Sequence, residues 1–356
     1  MIAVIALTIL QLLPPAGQAN PYRSPQLASS TKLVALAFGS GKAIYVATST
    51  DQGQHFSEPI RVAEADILPL SRHRGPHIAI SKNIIVVTAV TGREEAKGPH
   101  SHGLPSDGDL YAWRSADGGK SWSKPVRVND ATASAREGLH SLAADGRGNV
   151  FAVWLDQRTD HVQLYGAISR DSGATWSANR LLYKSPDGDI CQCCHPTASY
   201  SPHGALEVMW RNCMGGARDF YLIRSTDGKR FSEPQKLGTG TWKINACPMD
   251  GGGLTHEGNR TLTAWRREVN IYLAEPGKPE TKLGEGKDVA IAASQGQVYV
   301  LWIENGQLQL WKNGKVEPLA EKASYPAIVS LPQGGVLIAW EENGGIRIEQ
   351  PPKSMR

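Results

Sequence analysis

The chain has 356 residues, a formal net charge of +4 and a calculated pI of 8.7. Its basic residues are scattered, with no stripe and no basic patch interleaved with aromatics, which excludes nucleic acid as an expected partner. The length suits one large domain or two ordinary ones, and only five cysteines are present.

The first element is MIAVIALTILQLLPPAGQAN, an apolar run followed by Pro-Pro and the small-residue ending Ala16, Gly17, Gln18 and Ala19. It predicts a signal peptide over residues 1–19, cleaved after Ala19, although no Lys or Arg precedes the apolar run. The other reading is a buried N-terminal strand. No later segment approaches the roughly 18 apolar residues of a membrane span, so no integral membrane segment is expected. Export would place the protein in the periplasm or outside the cell, where disulfides persist.

Along the rest of the chain one turn recurs. STDQGQHF (Ser49 to Phe56), SADGGKSW (Ser115 to Trp122), SRDSGATW (Ser169 to Trp176) and the shorter STDGKRF (Ser225 to Phe231) each separate two apolar runs, a β-hairpin signature. The carboxylates of Asp51, Asp117, Asp171 and Asp227 can accept backbone N–H bonds across the turn. The Gly can take positive φ, and the Trp or Phe can cover the hairpin base. These residues read as scaffold.

A second repeat, FAVWLD, LEVMWR, LTAWRR, YVLWIE and LIAWEE, carries Trp154, Trp210, Trp265, Trp302 and Trp340. Most of these runs follow a turn and another short run. Four antiparallel strands repeated at roughly 40 to 50 residues predict an all-β β-propeller. First strands beginning near Pro76, Leu139, His195, Pro248, Asp288 and Tyr325 give six blades. Fourth strands end near Val62, Val128, Leu182, Leu237, Leu283 and Leu319, again six, offset by one. Tyr325 to Gln350 is therefore expected to pair with the region Leu33 to Val62, closing one domain over residues 20–356 and removing open sheet edges. Both chain ends offer an extra strand, which would add a seventh blade.

The S-x-D-x-G-x-T-W turns between outer strands resemble the Asp-box or BNR repeat of the sialidase family of six-bladed propellers. Sialidases hold a substrate carboxylate with three arginines, use an acid/base Asp, and use a Tyr paired with a Glu as nucleophile. By this resemblance Arg74 in RHRGPHIAI and Arg211 in MWRNCMGGARDFYLIRSTDG match two of the arginines, with Arg267 in WRREVNIYLA as the third and Arg266 its rival. Arg218 would orient Arg211, and Arg93 would line the pocket. The loop EEAKGPHSHGLPSDGD offers Asp107 as acid/base, with Asp109 close behind and Glu94, Glu95, His100 and His102 beside them. Tyr325, in YPAIVSLPQGG, would be the nucleophile. The resemblance implies a secreted, monomeric exo-glycosidase acting on anionic glycans, without a cofactor. Guanidinium forks converging near a propeller axis suit a carboxylate or sulfate on charge alone.

DICQCCHP places Cys191, Cys193, Cys194 and His195 within five positions, while Cys213 and Cys247 lie in the same or the adjacent blade. Two disulfides and one thiol are expected, with Cys247 joined to the CQCC segment. The same residues, with His77 or His140 completing the shell, could instead hold copper or zinc. A redox or nucleophilic cysteine is the third reading. Enzyme and non-catalytic ligand- or metal-binding propeller thus both remain as functions.

Overall fold

The computed structural model describes residues 9–15, 17–71, 73–97, 101 and 103–351. His100, His102 and residues 1–8 of the expected leader lie outside them. The described residues form seven four-stranded antiparallel sheets, each running outward from an inner strand, in chain order in all but the last. Blades 1 to 6 begin with the inner strands Arg23–Ser29, His77–Ser81, His140–Ala144, Thr197–Tyr200, Gly252–Glu257 and Lys287–Ser294. Blade 7 comprises Ser324–Ser330, Val336–Glu342 and Gly345–Glu349, with Ile9–Leu12 as its outer strand. Inner strands touch their neighbours all the way round, blade 7 against blade 1 included, so the ring is closed.

The expected six blades are therefore corrected to seven, and Tyr325 to Gln350 does not share a blade with Leu33 to Val62. Both uncounted strands are disguised in the sequence. Arg23–Ser29 opens with a register shift between Arg23 and Gln26, with Ser24 at φ 56°, and this breaks the alternation by which a strand is recognised. Ile9–Leu12 sits inside the apolar run that reads as a leader, and it pairs with Gly345–Glu349 from Ile9↔Glu349 to Leu12↔Ile346. Among the described residues no helix is long and apolar enough to cross a membrane.

The core consists of inter-blade layers built by the second strands. Trp154, Trp210, Trp302 and Trp340 are fully buried there, packed between sheets. Truncating a buried Trp of this kind to Ala costs about 3 to 5 kcal/mol.

The recurrent turns lie on the outer hairpins of blades 1 to 4. In blade 3, Ser169 Oγ donates to Asp171 Oδ1 at 2.7 Å, Gly173 N donates to Ser169 Oγ at 2.7 Å, and Thr175 N donates to Asp171 Oδ1 at 2.9 Å. Blades 1, 2 and 4 repeat this around Asp51, Asp117 and Asp227. The glycines have a packing reason as well as a conformational one. Gly173, at φ 83°, lies where a Cβ would come 2.9 Å from Val86 of the preceding blade, and Gly53, Gly119 and Gly228 lie against the preceding blade in the same way. Each turn thus fastens one blade to the next.

Candidate functional site

The axial mouth is lined by residues that precede or open the inner strands. In blades 1, 6 and 7 the pairing register shifts at the first residues of the inner strand, and Ser24, Asp288 and Tyr325 sit there with φ of 56°, 59° and 49°. His73 (φ 65°) precedes the inner strand of blade 2, and Met249 (φ 57°) that of blade 5. Positive φ at such residues costs of order 1 to 3 kcal/mol each, a strain that collects at functional sites.

Three of these approaches meet. His73 Nε2 lies 2.8 Å from Asp288 Oδ1, and Asp288 N donates to Asp250 Oδ2 at 3.3 Å. One ligand atom from each of His73, Asp250 and Asp288 falls within 4.8 Å of the others. Asp250 is 1% exposed, and its Oδ1 finds no hydrogen-bond partner among the described residues. Burial and the nearby Asp288 charge raise the Asp250 pKa against the pull of His73, Arg266 and Arg211. Burial acts the same way on Asp288, but the His73 hydrogen bond and charge outweigh it and leave that carboxyl below its ordinary value. For His73 burial is opposed by Asp288 and Asp250, and the net direction is upward.

Further imidazoles surround this group. The His195 ring lies 4.5 Å from that of His73, and its buried Nδ1 is also without a described partner. Gly251 runs directly beneath it, where any Cβ would overlap the ring. Tyr325 meets His73 edge-on at 5.6 Å. His140 meets His77 edge-on at 4.4 Å and lies 3.1 Å from Thr88 Oγ1; burial lowers its pKa to about 4. His77 and His195 are pushed well below the ordinary value, first by burial and then by neighbouring positive charge. The void that Tyr325, His73, His77 and Arg74 share has a volume of only about 20 Å³, room for a water-sized body and far below a sugar.

The cysteines lie alongside. Cys193 and Cys247 form a disulfide, as the sequence led one to expect, but Cys191, Cys194 and Cys213 remain thiols, so there is one bridge in place of two. Cys191 Sγ is 3.2 Å from Cys194 Sγ, and Arg218 Nη1 is 3.3 Å from Cys191 Sγ. The Cys194 contact, with the Arg211 and Arg218 charges, outweighs burial and lowers the Cys191 pKa to about 6. Of the metal ligands expected from sequence, Cys193 and Cys247 are spent on each other.

The expected arginines do not all converge: Arg211, Arg218 and Arg267 line one small void, while Arg74 and Arg93 lie apart from it. Arg211 is buried with its N–H groups on the carbonyls of Asp250, Arg218 and Arg266, and it stacks on Phe220 at 4.1 Å. Arg74 donates to the Glu137 carbonyl at 2.5 Å and pairs with its carboxylate at 3.3 Å. Arg267 pairs with Glu280 at 2.5 Å and lies over Tyr272. Arg93 is exposed and lines a different cavity, a lateral cleft of about 1020 Å³ shared with Asp107, Asp109, Tyr111 and Arg127. Asp107 caps the backbone N–H groups of Arg93 and Glu94 at 2.9 and 3.0 Å, while Asp109 is held by Asn129 and the N–H of Ala133 at 2.7 Å each. Asp107 and Tyr325 therefore face separate spaces.

Sequence reasoning singled out neither His73 nor Asp250. His73 stands immediately before Arg74 in RHRGPH, and Asp250 closes CPMD after Cys247, so proximity to those residues was the available signal. The C-x-x-C spacing of Cys191 and Cys194 was hidden inside C-x-C-C.

No protein-family model matches the chain, and no curated protein matches it. Solved structures do. An ulvan lyase from a new family of polysaccharide lyases aligns at TM-score 0.53 and 12% identity over 92% of this chain and 93% of its own. The K499G mutant of NanB sialidase from Streptococcus pneumoniae aligns at TM-score 0.52 and 13% identity over 96% and 70%. Against the Hadza microbial sialidase Hz136 the TM-score is 0.49 and the identity 17%, over 79% of this chain, which spans 63% of that protein's length. At these identities the likeness is one of fold: a propeller of four-stranded blades shared with sialidases and a polysaccharide lyase, carrying a mouth of imidazoles, carboxylates and thiols.

Proposed function

We propose that the protein is a metal-binding propeller whose mouth holds a divalent cation on His73, Asp250 and Asp288. The observation that carries this reading is the convergence of the three ligand atoms within 4.8 Å beside a buried, unpartnered Asp250 oxygen. Two carboxylates packed together in a buried site repel, and a divalent cation is the partner that removes the repulsion. One imidazole with two carboxylates suits Zn(II) or Mn(II) better than a soft ion. The strained backbone at His73 and Asp288 holds the donors in place before the metal arrives. Titrating chelator-treated protein with Zn(II) and Mn(II) tests this. One equivalent should bind, and Asp288→Asn should weaken binding by more than the roughly 10- to 100-fold that a supporting neighbour contributes. Absence of binding, or equal binding by the variant, would contradict it.

A second reading, an anionic carbohydrate ligand, is favoured by one feature. The lateral cleft of about 1020 Å³ has room for sugar units, presents Arg93, Arg127 and Lys42, and adds Tyr111 and Trp113 as apolar faces. Similarity in fold to sialidases and a polysaccharide lyase supports it. Glu64, Asp66, Asp107 and Asp109 line the same cleft, so its charge is mixed. Exo-glycosidase chemistry would need Tyr325 and Asp107 to act on one bond from two cavities. Titration with acidic and neutral oligosaccharides decides it: selective binding of acidic sugars, lost in Arg93→Ala, supports the reading.

Export is part of the proposal. A mature chain starting at Asn20 would lack Ile9–Leu12 and leave Gly345–Glu349 as the outer strand of blade 7. N-terminal sequencing of the protein from its native compartment tests this directly.

A further inference from the structure

The sulfurs beside the mouth are not explained by the His73 site. Cys191 and Cys194 are thiols in C-x-x-C spacing, 0% and 1% exposed, with their Sγ atoms 3.2 Å apart. A thioether side chain comes to them from another segment: Met249, with φ 57°, packs against the same cluster. Cys193 lies within ligand distance too, but its bond to Cys247 removes it as a thiolate. Positive charge is already in place, since Arg218 Nη1 is 3.3 Å from Cys191 Sγ.

We propose that Cys191, Cys194 and Met249 form a binding site for a soft monovalent cation, Cu(I), distinct from the divalent site on His73, Asp250 and Asp288. Thiolate and thioether are the soft donors that select Cu(I). A structural zinc site takes four ligands, and this cluster offers two thiolates and one thioether. Charge points the same way. Two thiolates around a monovalent ion carry a net negative charge, which the half-buried Arg218 guanidinium balances, whereas a divalent ion would neutralise the thiolates and leave that guanidinium beside a neutral complex. In binding, two S–H bonds break and two protons are released, while two thiolate–copper bonds and one thioether–copper bond form; neither sulfur nor copper changes oxidation state. Burial shields the thiols from oxidation, which an exported dithiol requires.

The experiment is an anaerobic titration of the full chain with Cu(I) against bicinchoninate. Wild type should withhold one equivalent from the competitor and gain ultraviolet thiolate-to-copper absorption. Cys191→Ser and Cys194→Ser should each lower affinity by more than about 100-fold, and Met249→Leu by roughly 10-fold. Asp250→Asn should keep Cu(I) while losing the divalent ion, which separates failure of this site from failure of the other. Should the serine variants not fold, the copper-edge spectrum of wild type decides, with a shell of sulfur alone expected. Complete surrender of Cu(I) to bicinchoninate, a nitrogen- or oxygen-dominated shell, or a Cys191–Cys194 disulfide in protein isolated without oxygen would overturn the proposal.

Discussion

The outer turns and the axial mouth both concentrate polar side chains, and they treat them in opposite ways. In the turns the carboxylates are satisfied locally, Asp171 accepting from Ser169, Thr175 Oγ1 and the backbone N–H of Thr175, all between 2.6 and 2.9 Å, and the buried groups left without a described partner are neutral, the indole N–H of Trp122 and Trp176 and the amide oxygen of Gln52. At the mouth Asp250 Oδ1 and His195 Nδ1 are buried without a described partner, and like charges are packed together. Fully satisfied groups stabilise a turn, whereas buried unsatisfied ones cost free energy that the rest of the fold must offset. The first pattern is scaffold, and the second is where the proposed metal would complete the structure.

Acid should separate the two regions, and this is the largest effect expected. His140 is buried neutral with its pKa lowered to about 4, so the unfolded chain binds the proton more readily than the folded one. Its contribution is present above the unfolded value of about 6.5 and is lost as pH falls toward about 4, at most about 3 kcal/mol. His77 and His195 shift in the same direction and add to the loss. The turn carboxylates Asp51 and Asp171, each lowered to about 2 with hydrogen bonds outweighing burial, keep their contribution until pH falls from about 4 toward 2. Chemical denaturation between pH 7 and 4 should show the first loss, and His140→Gln should flatten it. An unchanged slope in that variant would break the comparison.

Glycine substitutions sharpen it. Gly251→Ala should displace the His195 ring, costing about 1 to 3 kcal/mol by overpacking and weakening divalent-metal binding together. Gly173→Ala meets both positive φ and Val86, so it should lower stability by about 1 to 2 kcal/mol while leaving metal binding intact. Thermal melts and metal titrations on the same two variants distinguish them.

The smallest effect belongs to the exposed turn acids. Asp171→Ala removes hydrogen bonds that solvent partly replaces, and should cost about 1 kcal/mol with no change in ligand binding. A metal-binding defect in that variant would blur the division between turns and mouth.

Much of the scaffold was legible because it repeats. Trp154, Trp210, Trp302 and Trp340 mark second strands, and Ser-x-Asp turns mark outer hairpins, so the propeller and its four-stranded unit follow from pattern alone. The blade count did not, because Arg23–Ser29 loses its alternation at Ser24 and Ile9–Leu12 is indistinguishable from a leader by hydropathy. The site was legible only where residues hold equivalent places ahead of the inner strands of neighbouring blades. Cys193–Cys247 fits that description, since CQCC and Cys247 both precede inner strands of adjacent blades. His73, Asp250 and Asp288 come from blades 2, 5 and 6, and no local spacing records their convergence. Arg211 misled for a physical reason: a guanidinium at a strand end serves equally well to bind several carbonyls, and here it does so.

The most direct test of the account is anomalous diffraction from crystals of the chelator-treated protein soaked in Zn(II) or Mn(II), collected on either side of the metal edge. The account predicts one strong peak within bonding distance of His73, Asp250 and Asp288, absent from crystals of Asp250→Asn. An empty mouth in soaked wild-type crystals, with the Asp250 carboxylate turned to a protein donor, would contradict it.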